Sequence, residues 1–547
     1  MCKAIRERLT VGALVSLFLF PLCIYLATLA PSITWQHDGA DGGDLIAAAH
    51  TLGIPHPTGY PLYVLLAKLF TFLPWGDIAY RVNLMSAFFA AATVPLVYLA
   101  SSNLLAPTLS SSPLMMGETE RGWSDRIASS VASVTAALTF AFSPVFWSQA
   151  VIAEVYTLNA FFVALMIYLL AHHARTRTFS SSPCLFYSLA FVYGLSLGNH
   201  LSMLLLLPAG LFLGLRGEFR RFLKTKTLVT AFAFFLLGLS VYLYLPLRAA
   251  QHPPINWGDP HTRLGFTWLV SARLYRQFVF ALPWKYIPAR VSAWSALLVQ
   301  QFGWWGLLLG LIGLWLWWDE DRTFCGFLAI LAVISSIYAI GYNTTDSYVY
   351  LIPSFLVMAL WLGKGVHCAL AVLREFLPFD YAQDKGGIVR TLSPSSTFLL
   401  LSSCAFLFLP LLSLVDNYGA LDLSSDQTAS EYGARVLSAV PANAIIVADT
   451  DAHTFALWYF HYAEGLRPDV AVLNATLLRY DWYQQSVRRL YTHVAIPSPG
   501  SQLMPSAVAL IDNNIGKYPI YLTDPNPQVE AHYRLSRKGS VYQVIPD

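Results

Sequence analysis

Long apolar stretches recur through most of this chain, and they restrict its fold more than any other feature. About eleven segments are apolar enough to cross a bilayer, which takes about 20 residues each. They lie near residues 11–30, 84–104, 129–147, 153–171, 184–198, 200–215, 228–246, 296–317, 323–341, 349–363 and 397–415. Only 12% of the 547 residues are charged, against about 25% in an average soluble domain. We therefore predict an α-helical polytopic membrane protein.

The basic residues indicate which helix ends face the cytoplasm. With the N-terminus inside, the inner loops carry most of the basic residues, as the positive-inside rule requires. These are Lys3, Arg6, Arg8, Arg121, Arg126, Arg175, Arg177, Arg216, Arg220, Arg221, Lys224, Lys226, Arg322, Lys364, Arg374, Lys385 and Arg390. The dense patch at 216–226 is interpreted as a topogenic loop rather than a lipid or nucleic-acid site. We predict a cytoplasmic N-terminus on a retained anchor and no nucleic-acid partner.

Two regions stand apart from the spans, and both are predicted to lie outside. The loop 31–83 is too apolar for a solvated linker, so we expect short helices at 45–52 and 62–73 on the membrane surface. Prolines at 55, 57 and 61 separate the two helices. Residues 416–547 show strand patterns at 444–450, 469–478, 517–523 and 540–545, and helical patterns at 451–465 and 479–491. The prediction is a transmembrane domain over 1–415 followed by a small C-terminal α/β extracytoplasmic domain. Residues 105–127 and 376–392 are predicted as polar inner loops.

Acidic and histidine residues gather at the outer helix ends. Asp38, Asp41 and Asp44 follow the first span, and Asp41 or Asp44 is expected to cap a helix. An ionised carboxylate there can act as a general base, although ordinary capping and turn roles explain the same spacing. Glu154 and His200 begin later spans. Arg248 follows another span and suits phosphate recognition, so the group favours chemistry on a lipid-linked phosphate. The six cysteines lie in spans or at inner ends, which favours a bacterial envelope protein without disulfides.

Several long motifs resemble one membrane family in the same order. They are DGGDLIAAAHTLGIPHPTGYPLYVLLAKLF…AYRVNLMSA (41–87), FWSQAVIAEVYTLNAFF (146–162), GLSLGNH (194–200), YLPLRAAQHPPINWGDP (244–260), GYNTTDSYVYLIP (341–353) and DTDAHTFALWYFHYAEGLRPDV (449–470). The family, long described only as a domain of unknown function, includes an animal transmembrane O-mannosyltransferase of the endoplasmic reticulum. Its architecture resembles that of the GT-C glycosyltransferases. The resemblance implies a GT-C-like fold.

The resemblance also implies roles for individual residues. GT-C enzymes place an acidic base in the first outer loop and take sugar from a polyprenyl-phosphate donor. The family's usual motif, Asp-Ser-Gly-Glu, reads Asp41-Gly42-Gly43-Asp44 in this chain. The side chain of Asp44 is shorter than that of the usual Glu, which leaves the role of Asp44 open. Asp41 and Asp44 are thus the predicted catalytic residues. The predicted substrate-binding residues are His56, Arg81, Glu154, His200, Arg248, Asp259 and Asp346, with Arg248 and His200 holding the phosphate.

The function predicted from these observations is inverting transfer of a sugar, with mannose as the family-based choice, to a hydroxyl acceptor on protein or glycan. The site would face the extracytoplasmic side of a bacterial inner membrane. The spacing of acids defines no metal site, and a divalent metal remains an open alternative. Two other functions remain open: a transporter or flippase of lipid-linked sugars, and a non-catalytic envelope scaffold. A transporter would be expected to carry ionisable groups near the membrane midplane, whereas the charges here cluster at outer helix ends.

Overall fold

The computed structural model describes residues 2–105, 118–176, 183–216, 224–375, 394–496 and 507–546. The predicted inner loops 105–127 and 376–392, and the basic patch at 216–226, lie largely outside these residues. In chain order the helices before the C-terminal domain are α1 (Cys2–Ala27), α2 (Gly42–Thr51), α3 (Pro61–Phe70), α4 (Ile78–Leu105), α5 (Glu118–Ala141), α6 (Pro144–Ala150), α7 (Tyr156–Thr176), α8 (Cys184–Leu197), α9 (Leu206–Leu215), α10 (Thr225–Leu239), α11 (Tyr244–Ala249), α12 (Arg263–Val270), α13 (Ile287–Glu320), α14 (Arg322–Gly341), α15 (Ile352–Glu375) and α16 (Pro394–Leu421).

The described residues contain eight helices long and apolar enough to span a membrane, or nine if the bent pair α5–α6 is one span. Each of the eleven predicted segments is helical, although not all of them form helices of this length. The segments 184–198 and 200–215 form shorter apolar helices. They are separated because the chain is extended at His200, with φ −153° and ψ 136°.

Close contacts between small residues pack this bundle. A Cβ at Gly313 of α13 would lie 1.9 Å from the Trp361 carbonyl oxygen, and one at Gly365 of α15 would lie 2.0 Å from that of Leu309. Glycine at these two positions lets the backbones of α13 and α15 touch, which is how helices associate where no hydrophobic effect drives them together.

The first outer loop forms the two predicted short helices, but only one of them suits a membrane surface. All residues from Gly42 to Ala49 of α2 are buried, so α2 is an interior element and the prediction of a surface helix was wrong there. It is enclosed because the C-terminal domain covers it. The second helix, α3, exposes Leu65 and Leu69, and Phe72 and Trp75 just beyond it are exposed as well.

The C-terminal domain is a five-stranded sheet with helices, as predicted. Its elements are α17 (Thr428–Ala439), β1 (Ile445–Ala448), α18 (Asp451–Trp458), β2 (Ala471–Asn474), α19 (Asp481–Leu490), α20 (Ala507–Asn514), β3 (Ile520–Leu522), α21 (Pro527–Glu530), β4 (Arg534–Lys538) and β5 (Val541–Ile545). The order is β2-β1-β3-β5-β4. Strand β1 pairs in parallel with β2 and β3, and β5 pairs antiparallel with β3 and β4. The polar strand β4 was missed by the sequence patterns.

Hydrogen bonds join the C-terminal domain to residues 28–35, between the end of α1 and the beginning of the first outer loop. The Trp35 indole N–H donates to the Ala452 carbonyl at 3.2 Å, and the Leu423 amide donates to the Thr28 carbonyl at 3.0 Å. The Thr34 hydroxyl donates to an Asp426 carboxylate oxygen. These contacts place the start of α18 over the N-terminus of α2, where the acidic motif lies.

Candidate active site

Asp44 is held from three directions at the centre of the site. It lies in the first turn of α2 and is fully buried. Its Oδ2 accepts hydrogen bonds from the His56 backbone N–H at 2.9 Å and from His56 Nδ1 at 2.8 Å. Its Oδ1 accepts a bond from the Trp257 indole N–H at 3.1 Å. A buried carboxylate needs such donors, and the three bonds leave Asp44 no route to an incoming acceptor.

His56 connects the two acids of the motif. Nδ1 faces Asp44, while Nε2 lies 3.6 Å from Asp41 Oδ2. Burial acts to lower the pKa of His56, but the Asp41 charge and the hydrogen bond and charge of Asp44 raise it to about 9. The imidazole is therefore an imidazolium at neutral pH, with one N–H directed at each carboxylate.

Asp41 is the acid that faces the cleft. Its side chain is 43% exposed, whereas that of His56 is 6% exposed. Desolvation by the surrounding protein raises the pKa of Asp41 to about 6; the His56 charge opposes this shift, and nearby carboxylates add to it. A carboxylate with a pKa close to neutrality, open to solvent and oriented by a fixed cation, is suited to general-base chemistry.

The expectation that Asp41 or Asp44 caps α2 was wrong. Asp41 occupies the N-cap position, but its side chain makes no capping hydrogen bond. Asp44 lies in the first turn, with its oxygens bonded to His56 and Trp257.

Other carboxylates surround this pair. Glu154 is buried between α6 and α7; desolvation raises its pKa, and the Asp41 charge raises it further. Asp346 contributes to raising the pKa of Asp41. So does Asp451, from the first turn of α18. The structure thus brings Glu154 and Asp346 to the predicted site. It adds Asp451, which sequence reasoning missed although it lies within the quoted motif 449–470.

An aromatic wall closes the other side of His56. Its ring lies 5.1 Å from Tyr60, 6.3 Å from Trp257 and 6.3 Å from Tyr275, and stacks on Phe455 at 6.5 Å, measured between ring centroids. Trp257 comes from the loop after α11, and Phe455 comes from the C-terminal domain. Three distant parts of the chain therefore hold one imidazole.

His200 belongs to the site, but not as a cation. Its ring stacks on Tyr60 at 5.9 Å, and its Nδ1 accepts from the Ser202 amide. Burial, with the His56 charge, lowers its pKa to about 4. A neutral imidazole does not neutralise a phosphate, so the predicted phosphate role is not supported by the surroundings of His200.

The two predicted arginines are occupied elsewhere. Arg248 donates from Nε to the Leu52 carbonyl at 2.7 Å and from Nη2 to the Thr51 carbonyl at 3.1 Å. It thereby caps the C-terminus of α2, the opposite end from Asp41. Arg81 donates to the carbonyls of Thr71, Trp75 and Gly76 and ties the turn before α4. Neither is brought to the acid centre.

Asp259 joins the two domains. Its Oδ1 accepts from Asn256 at 2.9 Å and lies 2.8 Å from His261 Nδ1, and its Oδ2 lies 3.4 Å from Arg489 of α19. These bonds fix the loop that carries Trp257 and give Asp259 an anchoring role. No group of three or more His, Cys, Asp or Glu within the described ranges is placed to hold a metal ion.

Two family models and two named relatives match this chain. A family model described as the protein O-mannosyl-transferase TMEM260 N-terminal domain matches residues 41–222, and one described as TMEM260-associated domain 2 matches 429–504. Protein O-mannosyl-transferase tmem260 of Dictyostelium discoideum is 24% identical over 594 residues, covering 100% of this chain and 68% of that protein. The mouse protein of the same name is 27% identical over 564 residues, covering 97% of this chain and 74% of its own length.

Solved structures show the same fold. ArnT from Cupriavidus metallidurans bound to undecaprenyl phosphate superposes with a TM-score of 0.52 at 10% identity, covering 98% of this chain and 97% of that one. The apo form of ArnT superposes with a TM-score of 0.50 at 10% identity, covering 100% of this chain and 98% of that one. The helical bundle, the acidic first loop and the C-terminal sheet define a multi-pass membrane protein with an ArnT-like fold. In sequence, the chain is similar to the TMEM260-like membrane glycosyltransferases.

Proposed function

We propose that this enzyme transfers mannose from a polyprenyl-phosphate donor to a hydroxyl group of a protein acceptor. The names of the relatives, protein O-mannosyl-transferases, support the sugar and the acceptor. The undecaprenyl phosphate of the ArnT structure supports a prenyl phosphate donor. The excess of basic residues in the predicted inner loops supports a site on the extracytoplasmic side of the membrane.

The observation that carries the proposal is the difference between the two acids: Asp41 is partly exposed to the cleft, whereas Asp44 is buried and bonded to His56. Asp41 accepts the proton of the acceptor hydroxyl, and the oxygen attacks the anomeric carbon. The bond from that carbon to the phosphate oxygen breaks, and its electron pair leaves on the prenyl phosphate. One base is enough for inversion because a phosphate leaving group needs little protonation. Asp44 holds His56, and the His56 imidazolium orients Asp41.

The test is sugar transfer by purified wild-type protein and Asp41→Asn, with polyprenyl-phosphate mannose and a host envelope extract. Loss of a general base typically costs about 10²–10⁴ in rate, so transfer should fall by at least a hundredfold. Asp481→Asn, which alters an exposed aspartate of α19, is the matched control and should transfer at the wild-type rate.

The outcomes separate the functions. Undiminished transfer by folded Asp41→Asn would remove Asp41 as the base. Movement of the intact donor across vesicles without consumption would favour a flippase. Absence of donor turnover and of donor movement with wild-type protein would favour the scaffold.

A further inference from the structure

A phosphate-bearing donor needs a cation. The arginines and histidines predicted to bind substrate are engaged elsewhere. Arg248 and Arg81 donate to backbone carbonyls away from the acid centre. Burial keeps His200 neutral. His56 lies between two carboxylates. If the proposed donor is correct, another basic residue must meet its phosphate.

A groove between α13, α14 and the 3₁₀ helix Ser347–Leu351 contains such a residue. The empty space within it, open solvent included, is about 270 Å³. It is lined by Arg290, Ala293, Trp294, Leu297, Ala339, Ile340, Ser347, Tyr348 and Leu351. Four of these follow the i, i+3, i+4, i+7 pattern of one face of α13. Arg290 begins that face, and the lining beyond it is almost entirely apolar.

Arg290 carries a charge that no carboxylate in the described part of the chain pairs with. Its Nη1 donates to the Ser347 hydroxyl at 2.5 Å, and its Nη2 donates to the Thr344 carbonyl at 2.6 Å. Both partners are neutral, and a guanidinium has five N–H donors. A cation at the end of an apolar groove is costly without an anion. Phosphate fits because a guanidinium binds it through paired hydrogen bonds.

The polar end of the groove adjoins the acid centre. Tyr348 lines the groove, and its hydroxyl donates to Asp38 Oδ2 at 2.8 Å, three residues before Asp41. Asp346 lies between Thr344 and Ser347, the two partners of Arg290, and its charge helps to raise the pKa of Asp41. A phosphate on Arg290 would therefore carry its sugar towards Asp41.

The apolar end of the groove suits a lipid chain. The neighbouring surfaces of α13 and α14 expose Val291, Val333 and Ile337, which are 42%, 55% and 54% accessible. Such apolar surface on long apolar helices faces hydrocarbon. An open groove of this kind would receive a phosphate with the first part of a chain and leave the rest to the bilayer.

We propose that this groove is the donor site, in which Arg290 binds the phosphate and the face Ala293–Trp294–Leu297 receives the first isoprenoid units. This inference rests on the proposed function, because it assumes a prenyl phosphate donor. The expected ligand is a prenyl phosphate and not an ordinary anionic phospholipid.

The test is binding of undecaprenyl phosphate to the purified full-length chain, titrated by native mass spectrometry. Arg290→Gln keeps hydrogen-bonding capacity but removes the charge, and we expect about tenfold or greater weakening. Arg537→Gln is the matched control, since the Arg537 guanidinium also donates to a backbone carbonyl, that of Gly539, but lies in β4 of the C-terminal domain, and it should bind as wild type. Ala293→Trp should weaken binding by filling the groove at an exposed position, whereas Ala296→Trp, equally exposed but outside the lining, should not.

Three results would contradict the inference, and each would overturn a different part of it. Undecaprenyl phosphate binding that is strong in wild type and unchanged in Arg290→Gln and Ala293→Trp would overturn the groove while leaving the donor class intact. Equal, Arg290-dependent binding of dioleoylphosphatidylglycerol would make the groove a bilayer lipid site. No binding of undecaprenyl phosphate by wild type would overturn the proposed donor itself.

Discussion

At the scale of single residues, the two acids of the motif play different parts. The sequence pattern places Asp41 and Asp44 together and does not say which is the base. Their roles separate through partners that lie far along the chain: His56 is 12 residues from Asp44, and Trp257 is 213 residues away. Local spacing carries no information on such contacts. The same reason explains why the bonds from Arg248 to the C-terminus of α2 could not be predicted from the sequence.

The pH dependence of transfer tests this division. Asp41 must be ionised, so kcat/KM should fall as the pH drops through about 6. The His56 imidazolium should be lost as the pH rises through about 9. Asp44 raises the pKa of His56 through its hydrogen bond and charge, so Asp44→Asn should move the alkaline limb to lower pH. An alkaline limb that stays in place in a folded, active variant would contradict the role of the His56–Asp44 pair.

At the scale of elements, the contact between α2 and α18 determines whether the site can assemble. Hydrophobic periodicity was enough to predict the spans, the two helices of the first loop and most strands, because each follows from a local pattern. The covering of α2 by α18 was not predictable, since it depends on packing between segments about 400 residues apart. One residue marks it: a Cβ at Gly43 would lie 2.3 Å from the Phe455 carbonyl oxygen.

Adjacent glycines provide a test with an internal control. Gly43→Ala must push α18 away, because the clash is with backbone, and overpacking of this kind costs about 1–3 kcal/mol. Gly42→Ala meets nothing closer than 3.5 Å, and alanine favours a helix over glycine by about 1 kcal/mol. We expect a lower thermal midpoint and reduced transfer for Gly43→Ala, and neither loss for Gly42→Ala. Equal behaviour of the two variants would show that α18 does not rest on α2 in the membrane.

At the scale of the whole molecule, the C-terminal domain forms part of the candidate active site. The sequence pattern predicts an α/β outer domain there. In the structure its helix α18 supplies Phe455 against His56, and Arg489 of α19 holds Asp259 in the loop of Trp257. The membrane bundle alone therefore lacks one wall of the cleft. An acceptor that reaches Asp41 must pass beside this domain.

Asp451 allows this arrangement to be measured. It is exposed at the start of α18, and its charge is among those that raise the pKa of Asp41. Removing that charge in Asp451→Asn should lower the pKa of Asp41, so the acid limb of kcat/KM should move to lower pH. Asp449→Asn, two residues earlier, is the control, because Asp449 accepts a hydrogen bond from Asn526 at 2.9 Å within the domain. It should leave the limb in place. If Asp451 also contacts the acceptor, KM for the acceptor will rise while the limb still moves. An unmoved limb in Asp451→Asn would mean that the C-terminal domain stands farther from Asp41 in the working enzyme.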